Sequence, residues 1–204
     1  MKQGRLILLS APSGTGKGTV VAQLMRMRTD LDLSISWTTR APRPGDVEGE
    51  TYFFKSEDTF QALIDQGGFI EFAGVYGKHY GTPRAYVRQQ LARGRHVLLE
   101  IDTQGALQVM RNEPEVVSVF LLPPSMQELH RRLSGRGTES PEKVAQRFAF
   151  AYEELKQAEK YRYCIINDDV ASAARKVSAI IDAADCEAPL LRGHIQQLQE
   201  ETVL

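Results

Sequence analysis

Cysteine is nearly absent: Cys164 and Cys186 are the 2 in 204 residues. That is too few for a disulfide framework and suits reduced thiols in a cytoplasmic protein. An excess of one charge sign is lacking too. Lys plus Arg number 25 and Asp plus Glu 26, a net charge of -1, so bulk charge directs the chain to neither nucleic acid nor a membrane surface. No apolar run approaches the roughly 18 residues that cross a bilayer, and Met1 leads into a strand-like segment without a secretory pattern. The 4 histidines, His79, His96, His130 and His194, are scattered without metal-ligand spacing, which predicts no protein cage for a metal. There is no internal repeat and no low-complexity linker. The length predicts one domain, or one domain with insertions, with a sizeable core.

What is present begins with Leu6-Ile7-Leu8-Leu9, a short apolar run that reads as a buried strand. Ser10-Ala11-Pro12-Ser13-Gly14-Thr15-Gly16-Lys17-Gly18-Thr19 follows, and Val20 to Met27 then shows helical spacing. Strand, glycine-rich turn and helix form the context of a phosphate-binding loop. Gly14 and Gly16 let successive N–H groups face one anion, and the helix start adds its positive end. Lys17 brings a full charge for the β- and γ-phosphates of a nucleotide. The alternative reading, a glycine-rich turn that binds nothing, leaves Lys17 beside paired glycines without a purpose. Ala11 stands where the pattern G-x-x-x-x-G-K-[ST] has its first glycine, and Gly18 where it has the hydroxyl that touches magnesium. Thr19, one place late, is the candidate for that contact.

Further along, Leu33 to Trp37 alternates apolar and polar residues like a half-buried strand. A proline- and glycine-bearing loop leads to a strand at Tyr52–Phe54, and Ser56-Glu57-Asp58 caps a helix to about Gln66. Phe69 to Tyr76 is strand-like, Gly77 turns the chain, and a helix spans about Pro83 to Ala92. Strands at His96–Asp102, Val116–Leu122 and Tyr163–Ile166 alternate with helices near Gly105–Arg111, Met126–Leu133, Pro141–Lys160 and Val170–Ala184. That alternation predicts a parallel sheet covered on both faces. The segment 35–83 is richer in short strands and aromatics and reads as an insertion over the sheet's carboxyl edge. The core is then 1–34 plus 84–187. The tail 188–204 reads as a helix, a contact with a second copy, or neither.

Arg40 and Arg43 lie three apart in a proline-stiffened loop, with Tyr52 and Tyr80 nearby in sequence. Two guanidinium forks and phenol hydroxyls suit a phosphate dianion, although a lone surface arginine is ordinarily just solvated. Glu71, Asp102, Ser36 and Thr82 form a further polar set. A carboxylate offers two acceptors to the N1–H and amine of a guanine edge, a pairing adenine cannot match. Glu100 and Asp102 share one face of a strand, which needs a basic partner.

The blocks A-P-S-G-T-G-K-G-T, S-W-T-T-R-A-P-R-P-G-D-V-E-G-E-T-Y-F-F, F-I-E-F-A, Y-G-K-H-Y-G-T, L-L-E-I-D-T-Q-G-A, F-L-L-P-P-S, R-R-L-S-G-R-G-T-E and I-I-N-D-D together resemble the guanylate kinases. They occur in that family's order and cover the chain to about residue 185. Asp46 stands where the family usually has Glu. The K-G-T ending of the phosphate loop is similar to that of adenylate kinases.

The resemblance implies an α/β fold: a P-loop NTPase-type parallel sheet flanked by helices, a small mixed GMP-binding insertion and a mobile lid at about 125–147. It implies ATP bound by Ala11, Pro12, Ser13, Gly14, Thr15, Gly16, Lys17, Gly18 and Thr19, with Asn167 beside the adenine. Arg40, Arg43, Tyr52 and Tyr80 would hold the GMP phosphate. Ser36, Glu71, Thr82 and Asp102 would read or position the guanine. Lys17 with lid arginines Arg132, Arg136 and Arg147 would neutralise the transferring phosphoryl group. Magnesium would arrive with ATP, and GMP or dGMP would be the acceptor. Nucleic acid and membrane are not implied as partners, and a homodimer is one option for assembly. Two kinds of rival share the fold: a kinase acting on a sugar phosphate such as ribose 1,5-bisphosphate, and a non-catalytic interaction module.

Overall fold

A computed structural model describes residues 3–75, 77–135 and 140–201. Its core is a five-stranded parallel sheet made by β1 (Leu6–Ser10), β2 (Leu31–Leu33), β7 (His96–Glu100), β8 (Val117–Leu122) and β9 (Tyr163–Ile166), in the spatial order β2-β7-β1-β8-β9. The chain leaves central β1 for one edge, returns beside it as β7, and then builds outward on the other side. The order therefore reverses at β1, where α/β sheets open a crevice at their carboxyl ends.

Alternation along β1 explains why the sheet is buried twice. Ile7 and Leu9 face α1 (Lys17–Met27) and α7 (Val170–Asp185), packing with Val20, Leu24, Val177 and Ile181. Leu6 and Leu8 face the other way, towards α3 (Arg84–Ala92) and α4 (Thr103–Asn112), packing with Val87, Leu91, Ala106 and Val109. A third, smaller cluster of Leu129, Leu133, Val144 and Ala151 joins α5 (Met126–Ser134) to α6 (Pro141–Leu155).

A second, mixed sheet runs in the order β4-β3-β6-β5, from β3 (Trp37–Thr38), β4 (Phe53–Phe54), β5 (Phe69–Val75) and β6 (Lys78–Pro83), with α2 (Glu57–Asp65) beside it. Phe60 of α2 stacks on Phe69 at 4.4 Å between ring centroids. Helix α4 pins this sheet to the core. Gln108 exchanges hydrogen bonds with the backbone of Phe72 at 3.0 and 3.3 Å, and Asn112 Nδ2 donates to the Ile70 carbonyl at 2.8 Å. Glu71 sits between those two clamped residues.

Three expected boundaries move. The Leu33–Trp37 run is two pieces, because the chain crosses between sheets: Ser34 N–H still bonds Leu98 O at 2.9 Å, whereas Trp37 pairs with Gly81. Tyr52 only bridges Glu48, so strand pairing starts at Phe53. The helix expected to reach Lys160 stops at Leu155, and a short 3-10 turn at Ala158–Lys160 redirects the chain into β9. The tail forms α8 (Arg192–Glu201), which leaves Ile195 and Leu198 exposed. Among the described residues no helix is long and apolar enough to cross a membrane.

Candidate active site

The phosphate-loop reading rests on backbone supply. Gly14 and Gly16 take φ of 89° and 93°, conformations in which a Cβ would be strained. The Thr15 amide closes a turn onto Pro12 O at 3.1 Å. Among the described residues, the amides of Gly14, Gly16, Lys17 and Gly18 have no acceptor within the chain, and they cluster at the positive start of α1. Such a group of open donors has the chemistry an anion requires.

Lys17 reaches across the crevice. Its Nζ donates to Ile101 O at 2.8 Å and lies 4.0 Å from Glu100 Oε1. Burial pulls its pKa down, while Glu100, Asp102 and Glu154 push it back up. The basic partner that the Glu100–Asp102 face requires is thus Lys17. Asp102 caps α4 through the Gly105 amide at 2.8 Å.

Opposite the loop lies a cleft of about 490 Å³ between the two sheets. Lys17, Ser36, Tyr52, Glu71, Tyr80 and Asp102, all sequence candidates, line it. Ser34, Glu50, Thr51 and Glu100 also reach its wall, and nothing in the spacing singles out the first three. Glu71 is the most unusual member, being 5% exposed. Thr82 Oγ1 donates to its Oε1 at 2.7 Å, and Gly105 approaches so closely that an added Cβ would lie 2.8 Å from its Oε2. Burial raises its pKa to about 7, against the Thr82 bond, which lowers it. A carboxylate so poorly solvated is primed for donors from a ligand. Thr82 itself is buried and is not part of the cleft lining, so it positions Glu71.

Arg40 stacks on Tyr52, its Cζ 5.3 Å from the ring centroid, and bonds Asp46 Oδ2 at 2.8 Å. Asp46 also accepts the Arg43 amide at 2.7 Å, and this carboxylate holds Arg40 at the loop's turn. The Tyr52 and Tyr80 rings meet edge to face at 5.7 Å. The Arg43 side chain is exposed and does not line the cleft.

On the other flank, the arginines divide. Arg147 Nη2 donates to Ser13 Oγ at 2.8 Å. Arg132 is engaged beneath the loop by Glu128 Oε1 at 2.8 Å, Thr15 O at 3.0 Å and Asn167 O at 3.4 Å. Asn167 is buried there too, its Nδ2 on Thr15 O at 2.7 Å. Both side chains brace the loop from behind. Arg136 lies outside the described residues. Glu154 is the contact that sequence spacing missed: its Oε2 accepts the Ser13 amide at 3.1 Å. The available signal was its position seven residues after Arg147, on the same helical face.

Among the described residues no group of three or more His, Cys, Asp or Glu side chains forms a metal cage. Gly18 has no hydroxyl; a side chain there would begin 3.6 Å from Glu100 Oε1. Thr19 is exposed and off the cleft wall. Glu100 is therefore the oxygen donor nearest that position, a chemistry that fits a hard divalent cation whose other ligands are nucleotide phosphates and water.

The chain matches the family model described as guanylate kinase over residues 3–184. It is 50% identical over 202 residues to a guanylate kinase of Caldanaerobacter subterraneus subsp. tengcongensis, covering 99% of this chain and 98% of that one. It is 46% identical over 199 residues to one of Clostridium acetobutylicum, covering 98% and 95%. The crystal structure of a guanylate kinase from Anaplasma phagocytophilum superposes with a TM-score of 0.72 at 35% identity, covering 91% of this chain and 89% of that one. Matching that family model over nearly its whole length, and close to half identical to those relatives, the chain belongs to the guanylate kinase family.

Proposed function

We propose that this chain transfers the γ-phosphoryl group of ATP directly to the phosphate of GMP, and of dGMP, giving ADP and the nucleoside diphosphate. The observation that carries the reading is Glu71: a buried carboxylate, held by Thr82 and crowded by Gly105, on the cleft wall opposite the open amides of the phosphate loop. Guanine offers its N1–H and amine to the two carboxylate oxygens, whereas adenine presents a bare N1 acceptor there. A site built to pair hydrogen bonds can reject a base lacking them by about 10⁴-fold.

The acceptor phosphate would lie towards Arg40, Tyr52 and Tyr80, where the guanidinium is already oriented by Asp46. The donor phosphates would take the amides of Gly14, Gly16, Lys17 and Gly18. Lys17, now parked on Ile101 O, would exchange that carbonyl for phosphate oxygens. Magnesium arriving with ATP would supply further neutralisation of phosphate charge, and Glu100 would be the side chain to hold it. Phosphoryl transfer asks little covalent chemistry of the protein, so rate comes from alignment and from positive charge where charge develops. A phosphate dianion needs no general base. The segments 35–83 and 125–147 are the parts that close over GMP and ATP, keeping water from the γ-phosphoryl group.

The test is ADP formation from magnesium ATP with GMP, AMP, CMP, UMP and ribose 1,5-bisphosphate as separate acceptors. Rapid turnover confined to GMP and dGMP is expected. Turnover only with the sugar phosphate would remove the base site, and none with any acceptor would leave a binding module.

A further inference from the structure

Glu154 ties together two parts of the site that no strand joins. Its Oε2 accepts the Ser13 amide of the phosphate loop at 3.1 Å, and its Oε1 accepts the Thr103 hydroxyl at 3.4 Å. Thr103 opens α4 directly after Asp102 on the cleft wall. Two residues earlier, the Ile101 carbonyl holds Lys17. From the same face of α6, Arg147 grips the Ser13 hydroxyl at 2.8 Å, so helix α6 holds this serine by both its amide and its side chain.

The placement is costly for a carboxylate. Burial and, less strongly, the neighbouring Asp102 raise the pKa of Glu154, and the bonds from the Ser13 amide and the Thr103 hydroxyl, with Lys17, offset only part of that. Packing of α6 does not require it, since the apolar contact with α5 is made by Leu129, Leu133, Val144 and Ala151. Nor does the carboxylate occupy the amides left open for phosphate: it takes Ser13 and leaves those of Gly14, Gly16, Lys17 and Gly18 free within the chain. Phosphate and Glu154 can therefore hold the loop at the same time.

We propose that Glu154 is a positioning residue that couples the ATP and GMP sites, by fixing the phosphate loop to the start of α4 through Ser13 and Thr103. Ordering the loop with nucleotide phosphates steadies Ser13, hence Glu154, hence the Thr103–Asp102 corner that faces the acceptor. Coupling of this kind is reciprocal, so each nucleotide tightens the other by the same factor. The proposal rests on the guanylate reading above.

The test uses the full chain in titration calorimetry with GMP, alone and in the presence of saturating magnesium β,γ-methylene ATP. In the parent chain the analogue is expected to tighten GMP binding about fivefold or more. Glu154→Ala should bring that ratio to within twofold of unity while leaving the affinity for GMP alone nearly unchanged. Glu154→Gln, which lacks the charge, should fall between. Thr103→Val cuts only the α4 side of the bridge, so it should lower the ratio without disturbing Ser13, and it carries the test if Glu154→Ala fails to fold. A ratio of one in the parent chain, or a ratio unchanged in Glu154→Ala and Thr103→Val, overturns the proposal. Failure of the parent chain to bind GMP at all would instead overturn the guanylate reading itself.

Discussion

Lowering the pH from 8 to 6 should weaken GMP binding chiefly through one side chain, Glu71, with a smaller share from the GMP phosphate itself. Burial lifts its pKa from 4.5 to about 7 in the ligand-free fold, whereas two guanine donors favour the ionised form. At pH 8 most of the carboxyl groups are ionised, and at pH 6 only about one in eleven. Because binding draws on the ionised fraction, the apparent Kd rises about tenfold over that interval. The same shift acts on stability. The folded pKa lies above the unfolded one, so the ligand-free chain is most favoured below about pH 4.5, loses stability up to about pH 7 and is level beyond it. The full excursion is about 3 kcal/mol. Titration calorimetry at pH 6, in buffers of different ionisation enthalpy, should show about one proton released from Glu71 per GMP bound. The GMP phosphate, with a second pKa near 6, also releases about half a proton at that pH, so Glu71→Gln serves as the reference. That variant should bind GMP weakly and keep only the phosphate's share of the pH dependence. Equal pH slopes and equal proton release in the two chains would refute the reasoning.

Lys17→Ala should lower kcat by about 10²–10³-fold or more, since it deletes the charge aimed at the developing phosphoryl charge. Circular dichroism should stay native; near-normal turnover would exclude Lys17 from the reaction. Gly105→Ala places a methyl group 2.8 Å from Glu71 Oε2, an overpacking worth about 1–3 kcal/mol. It should raise KM for GMP at least tenfold while KM for ATP holds, and steady-state kinetics with each nucleotide varied in turn would detect it.

The core sheet and the phosphate loop were legible because both are local: an apolar run, a glycine pair and a lysine within a dozen residues. Glu71, Tyr52, Tyr80 and Asp102 were found through their motifs, and the cleft brings them together although they come from distant segments. What the sequence hid was direction and partnership. Alternation through Leu33–Trp37 is the same whether a strand continues or passes from one sheet to another. No glycine or proline marks the end of α6 at Leu155, so nothing local announces the break. Helical spacing places Arg132 and Arg147 on α5 and α6 without saying that Arg132 turns under the loop to Thr15 and Asn167. Glu154 belongs to none of the motifs, and only the fold sets it against Ser13. Thr82, expected at the guanine, donates to Glu71 and lies off the cleft wall, a partnership that spacing alone does not show.

In the proposed reaction the protein aligns and neutralises two nucleotides and takes no covalent part. A single-turnover reaction with ATP labelled in the γ-phosphoryl group, enzyme in excess and GMP present, tests it directly. Quenched at successive times, the label should pass from ATP to the β-phosphate of GDP with none on the protein. Label trapped on the chain before GDP appears, or released mainly as inorganic phosphate with GMP bound, would contradict it.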